Sequence, residues 1–261
     1  MPIKRWMKKT LVSLVLAGST LAAGCTMPKP PEPEYEDKYA ILISGSTNYR
    51  HKENLSLAYQ VLLENGFDKG NIFILDTDGE RGAFYPTDYD ASRASVEDTI
   101  GFLSNYIDEK DLLFFYVTNH GGRTEAISKD GQAIEESTIC LFDGDMPESE
   151  LEILLSSLNY KKAVMVFDQC YSGGFAERMG YGNNICIAAS DSDKSSWGNT
   201  FPQAFFKAWR DISADRNMDK RISIQEAFDY AVENDDYAKK GDNNPCIQTS
   251  LDPDKTFIDD K

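Results

Sequence analysis

Histidine is nearly absent from this chain: two occur among 261 residues, His51 and His120, and the five cysteines include no CxxC pair. A structural zinc site built from paired cysteines or clustered histidines therefore has little to draw on. Basic residues are scarce as well, 27 Lys and Arg against 43 Asp and Glu, and the formal net charge of −16 argues against nucleic acid as a partner. Long hydrophobic runs are missing. The most apolar stretch, TLVSLVLAGSTLAA at 10–23, is too short to span a bilayer, and no transmembrane segment follows it. There is no internal repeat.

What is present begins with an export pattern. Lys4, Arg5, Lys8 and Lys9 precede the short apolar run, the layout of a secretory signal over residues 1–24. The run ends in LAAGC, which resembles the lipobox of bacterial lipoproteins. The resemblance implies cleavage before Cys25, a diacylglycerol on its thiol, and an exported cell-envelope protein anchored to a bacterial membrane, with the lipid bilayer as a partner. The alternative is an ordinary signal peptide with an unrelated cysteine. Residues 25–38, rich in proline and acids, read as an extended tether, and 39–261 as the folded domain. Removing residues 1–24 takes away those four basic residues and no acid, leaving a net charge of −20.

From residue 39 onward, apolar runs alternate with amphipathic segments. YAILISGS, NIFILDT, DLLFFYVTNHGG, KKAVMVFDQCYSGG and NICIAAS read as five buried strands. NLSLAYQVLLENG has helical spacing, with Asn54 as a candidate N-cap and Gly66 as the stop. SVEDTIGFLSNYIDE reads as a helix opened by Ser95. Between the third and fourth strands a short hairpin and a helix starting near Pro147 are expected; two helices follow the fifth strand, and CIQTSL is a candidate sixth strand. Continuously apolar strands separated by helices predict a mostly parallel sheet covered on both faces, a three-layer α/β/α sandwich.

In such sheets ligands meet the carboxyl ends of the strands. The third strand ends in Asn119, His120, Gly121 and Gly122, and the fourth in Asp168, Gln169, Cys170, Tyr171, Ser172, Gly173 and Gly174. If those strands are neighbours, a thiol on a glycine turn faces an imidazole. The thiolate is the nucleophile, and His120 can both take its proton and protonate a leaving amine. Gly121 allows close approach, so its amide and that of Cys170 are candidates to stabilise an oxyanion. Other chemistries fit less well: Ala176 stands where a tyrosine-phosphatase loop needs arginine, and GxSxG is absent. Cys140, Cys186 and Cys246 read as small buried hydrophobes, with disulfide pairing open to an exported chain.

LFFYVTNHGG followed by VMVFDQCYSGGF resembles the caspase-fold cysteine peptidases, and GSTNYRHKENLSLAYQVLLENG with NIFIL resembles their legumain branch. The resemblance implies a caspase-like domain in which Cys170 is the nucleophile, His120 the general base and acid, and Asn48 the residue that orients His120. It implies that Arg50, His51 and Asp168 line the primary specificity pocket, with cleavage after asparagine, and that Ser195 and Ser196 lie on the strand that binds substrate backbone. The implied partner is a polypeptide and no cofactor is required. Hydrolysis and transpeptidation are not separated by sequence.

A second signal is DRNMDKRISIQE at 215–226. It places Asp215, Asn217, Asp219, Ser223 and Glu226 at positions 1, 3, 5, 9 and 12 of an EF-hand-like loop, with the Arg221 carbonyl at position 7, and so points to structural calcium. Lys220 occupies position 6, where glycine is usual; the alternative is a polar connector between two helices. Taken together the residues point to a cysteine endopeptidase working through an acyl-thioester. The alternative of another class is a catalytically silent caspase-like module that binds peptides or calcium-dependent partners.

Overall fold

In a computed structural model of the chain, residues 34–77, 85–128 and 130–259 are described. The export segment, Cys25 and most of the tether lie outside them. The elements in chain order are β1 (Lys38–Ser44), α1 (Tyr49–Glu64), β2 (Ile72–Asp76), α2 (Arg93–Leu103), β3 (Leu112–Val117), β4 (Gly121–Ile127), β5 (Ala133–Leu141), β6 (Gly144–Pro147), α3 (Glu148–Leu155), β7 (Lys162–Phe167), α4 (Gly173–Met179), β8 (Asn184–Ala188), α5 (Thr200–Lys207), α6 (Ile224–Asn234) and β9 (Cys246–Thr249).

The main sheet has the order β2-β1-β3-β7-β8-β9. Its first five strands pair in parallel and β9 closes the edge antiparallel to β8, as the sixth-strand candidate suggested. Every residue of β1 and β3 is buried because helices cover both faces, and alternate side chains feed opposite layers. Ala40, Leu42, Phe114 and Tyr116 pack toward α1, α5 and α6, through Leu55, Val61, Phe205 and Phe228. Ile41, Ile43, Phe115 and Val117 pack toward α2, α3 and α4, through Ile100, Leu151 and Phe175. Each such buried phenylalanine contributes about 1.5–3 kcal/mol of transfer free energy. The expected hairpin is a three-stranded antiparallel side sheet, β4-β5-β6.

Two helix starts differ from the sequence reading. The first helix begins at Tyr49, capped by Asn48, whose side chain accepts from the Arg50 amide; Asn54 lies inside the helix and is buried. The second begins at Arg93, capped by Ser92 rather than Ser95. In both cases an earlier polar residue satisfies the orphan amides, and the apolar periodicity alone did not locate it. Among the described residues no helix is long and apolar enough to cross a membrane.

Candidate active site

The sheet order places the site. From β1 the chain moves outward to β2, then returns to the other side of β1 for β3, so the order reverses between β1 and β3. In open α/β sheets ligands bind at the carboxyl ends of the strands where the order reverses in this way. His51 follows β1 on the first turn of α1; Thr118, Asn119 and His120 follow β3; Asp168 and Cys170 follow β7. In β3 and β7, which are adjacent, Val117 pairs with Phe167, and His120 and Cys170 each lie three residues beyond that pair. The two histidines, remote in sequence, meet with ring centroids 5.5 Å apart and nearly perpendicular.

The cysteine turn is held from several sides. Tyr171, directly after the thiol, adopts the left-handed region at φ 60°, which is costly for a side chain of that size and characteristic of functional turns. Its amide donates to the Lys194 carbonyl at 2.7 Å, and the buried Ser172 hydroxyl accepts from the Ser190 amide at 3.1 Å. Gly121 abuts the Cys170 carbonyl so closely that an added Cβ would collide with it and with the Gln169 side chain. Close approach of backbones is the reason for glycine at that position. The Cys170 thiol is half-buried; it accepts from the Ser196 amide at 3.3 Å and lies 3.6 Å from the Ser196 carbonyl. Ser196 is thus brought to the nucleophile, and Ser195 is its half-buried neighbour.

Behind this turn lies a buried polar chain. Arg50 Nε donates to His51 Nε2 at 3.2 Å, so the other imidazole nitrogen, Nδ1, carries the proton and donates to Thr118 Oγ1 at 2.9 Å. The Thr118 hydroxyl donates to Asp168 Oδ2 at 2.9 Å, and Asn54 Nδ2 donates to both Thr118 and Asp168, at 3.1 and 3.3 Å. Burial, aided by Arg50 and His120, holds His51 down to about 3, so it is neutral. Burial pushes Asp168 up to about 8 against the opposing hydrogen bond from Thr118 and the charge of Arg50. The second arm of Arg50 donates to the Gly198 carbonyl at 2.8 Å. Arg50, His51 and Asp168 are therefore brought together, with the path from cation to acid running through His51 and Thr118.

Asn48 has a different partner from the expected one. It is exposed, and its carboxamide oxygen accepts from the Arg50 amide at 3.2 Å as the cap of α1. It is Asn119 that fixes the backbone of His120, accepting from its amide at 2.8 Å while donating to the Cys140 carbonyl. Sequence reading assigned Asn119 and Thr118 no role and Asn54 only that of a helix cap; their polarity at the end of an apolar strand or on a buried helix face was the available signal. A cavity of about 380 Å³ opens elsewhere, at the amino ends of β7 and β8, lined by residues such as Leu155, Tyr160 and Tyr181 and by none of the candidate site residues.

In the 215–226 loop, the Asp215 carboxylate accepts from the amides of Asp219 and Lys220, Asn217 from Asp219, and Asp219 from Arg221. Lys220 takes the left-handed conformation, φ 72°, that a glycine would supply. Glu226 accepts from the amides of Arg216, Asn217 and Ser223, completing a capping box at α6. The Arg221 side chain turns away to Asp259 and the face of Phe257. Among the described residues no group of three or more His, Cys, Asp or Glu is gathered as metal donors, so a metal here would depend on mixed donors including Asn217, Ser223 and the Arg221 carbonyl.

The Peptidase C13 family profile matches residues 102–240, more than half of the chain, and spans His120, Cys170 and Ser196. The chain belongs to the Peptidase C13 family. Among curated proteins it is similar to vacuolar-processing enzyme beta-isozyme 1 of rice, in both Oryza sativa subsp. japonica and subsp. indica, at 24% identity across 86% of this chain and 54% of the plant protein. It spans about half the length of those relatives. A Geobacter sulfurreducens protein of known crystal structure superposes with a TM-score of 0.58 over 83% of this chain and 95% of that one, at 16% identity, a likeness of fold. Within this C13 domain the matched segment carries the thiol and the imidazole, whereas Asn48, Arg50 and His51 come from the β1 end, before the match begins.

Proposed function

We propose that the chain is a cysteine endopeptidase in which Cys170 attacks the scissile carbonyl, His120 takes the thiol proton and returns it to the leaving amine, and water then hydrolyses the acyl-thioester. The single observation that carries this reading is the emergence of His120 and Cys170 at equal distance beyond a register-paired residue couple on adjacent parallel strands. Gly121 and the Cys170 amide are the candidates for the oxyanion, on backbone that the tight Gly121 contact holds rigid. Arg50, with Asp168 behind it, forms the recess for the substrate residue before the scissile bond. The Arg50 guanidinium offers donors to a carbonyl oxygen, and Asp168, joined to it through His51 and Thr118 and mostly protonated at neutral pH, offers an acceptor to an amide nitrogen, which supports cleavage after asparagine. Hydrolysis of a fluorogenic peptide library tests both parts: Cys170→Ala abolishes turnover, His120→Ala lowers kcat by about 10² or more, and asparagine leads the preference. Equal activity in Cys170→Ala would refute the mechanism, and a flat preference would refute the recess.

The basic residues, short apolar run and LAAGC before the described residues support the further proposal that this activity is anchored to a bacterial envelope membrane through acylated Cys25. Cys25→Ser should move the protein from the membrane to the soluble fraction on ultracentrifugation. At the 215–226 loop we assign calcium a structural role, on the strength of the donor spacing and of the left-handed turn at Lys220. Millimolar calcium should raise Tm in the native chain and fail to do so in Glu226→Gln; equal Tm with calcium and with chelator would remove the ion from the picture.

A further inference from the structure

We infer that Asn243 is a positioning residue for substrate: its carboxamide holds residues 196–198 as the edge on which a peptide backbone docks beside Cys170. The inference rests on the peptidase reading above and adds a residue beyond the stretch matched by the C13 family profile.

The hydrogen bonds alternate along this edge. At Trp197 both backbone groups go to one side chain, its amide donating to Asn243 Oδ1 at 2.7 Å and its carbonyl accepting from Asn243 Nδ2 at 3.1 Å. A carboxamide that makes this pair of bonds stands in for a neighbouring strand. The residues on either side have other partners. The Ser196 amide and carbonyl meet the Cys170 thiol, and the Gly198 carbonyl meets Arg50. Ser196 and Trp197 thus send their backbone groups to opposite sides, so fixing Trp197 on Asn243 presents the Ser196 pair to whatever occupies the site, and Gly198, at φ 73°, turns the chain away after them. Those are the groups that a substrate backbone can pair with when it displaces their contact with the thiol.

The clamp is itself anchored. Asn243 is 3% exposed, and its Nδ2 also donates to Asp235 Oδ2 at 2.9 Å. Asp235, fully buried at the end of α6, accepts from the Thr200 hydroxyl at the start of α5 and from the Tyr237 amide. The Tyr237 ring packs directly on Gly198, leaving no room for a Cβ there. The clamp thus ties α5, α6 and the 237–243 turn to the edge beside the nucleophile. It leaves the Trp197 indole 57% exposed, beside the edge, for contact with a substrate side chain.

The test compares two probes of Cys170 in the full chain, with labelling read by mass spectrometry. A peptidyl electrophile needs the docking edge; iodoacetamide needs only the thiol. Asn243→Asp keeps the shape and the acceptor for Trp197 but loses both donated bonds, and Asn243→Ala removes the clamp. Both variants should slow the peptidyl electrophile at least tenfold, about what the loss of one or two backbone hydrogen bonds implies. The iodoacetamide rate at Cys170 should change by no more than about threefold, and KM for a peptide should rise more than kcat falls. An unchanged peptidyl rate, or an equal fall for both probes, would overturn the positioning role. A native chain in which the peptidyl probe labels Cys170 no faster than Cys140 or Cys246 would instead remove the peptidase reading, and the clamp's role with it.

Discussion

His51 and Asp168 show how burial changes what a residue type means. His51, 1% exposed, is held neutral, and Asp168, 5% exposed, is held largely protonated at neutral pH. Their effects on stability have opposite signs. The His51 contribution is complete above its unfolded value of 6.5 and is lost as pH falls through about 3. The Asp168 contribution is complete below its unfolded value of 3.8 and is lost as pH rises through about 8. Between pH 6.5 and 8 only Asp168 acts of the two, and it lowers stability as pH rises. Asp168→Asn should therefore gain Tm relative to the native chain from pH 6.5 to 8.5 in thermal unfolding; parallel Tm curves would refute the assignment. The residue types were legible as candidates in NYRH and DQC, but the proton on Nδ1 was not. It depends on Arg50 and Thr118 reaching the two ring nitrogens from different elements.

At the scale of elements, the joint between the side sheet and the helix behind Cys170 depends on one cation. Arg178 of α4 bonds Glu136 of β5 at 2.7 Å and Glu148 and Glu152 of α3 at 3.3 and 3.2 Å. Burial raises the Glu148 carboxyl even with the arginine beside it. Arg178→Ala leaves two largely buried acids without their partner, and should cost about 2–4 kcal/mol in denaturant unfolding, somewhat below a fully buried pair because Arg178 keeps partial exposure. A loss under about 0.5 kcal/mol would mean the joint is held by packing alone. The acids and Arg178 are visible in the sequence, yet nothing in their spacing pairs them. The strands were legible because apolar continuity reports burial on both faces. The starts of α1 and α2 were less so, since a cap is chosen by which polar side chain can fold back onto the free amides.

At the scale of the whole molecule, the chain's own pattern was enough for the three-layer sandwich, for the strand ends that carry His120 and Cys170, and for the family to which the resemblance pointed. Those features are local. Hydrophobic period, glycine turns and the residues at a strand's end are written within a few neighbouring positions. The tertiary structure alone decided the meeting of the two histidines, the route from Arg50 through His51 and Thr118 to Asp168, and the placement of Ser196 on the thiol. It also gave the backbone of His120 to Asn119 and the substrate edge to Asn243, which lies 47 positions after Ser196 in the chain. Apart from the Asn119 contact with its neighbour His120, each of these joins elements that are distant in sequence, and their contact geometry is set by strand order, register and burial. Strand order and register are properties of the packed sheet, and no short window of sequence contains them.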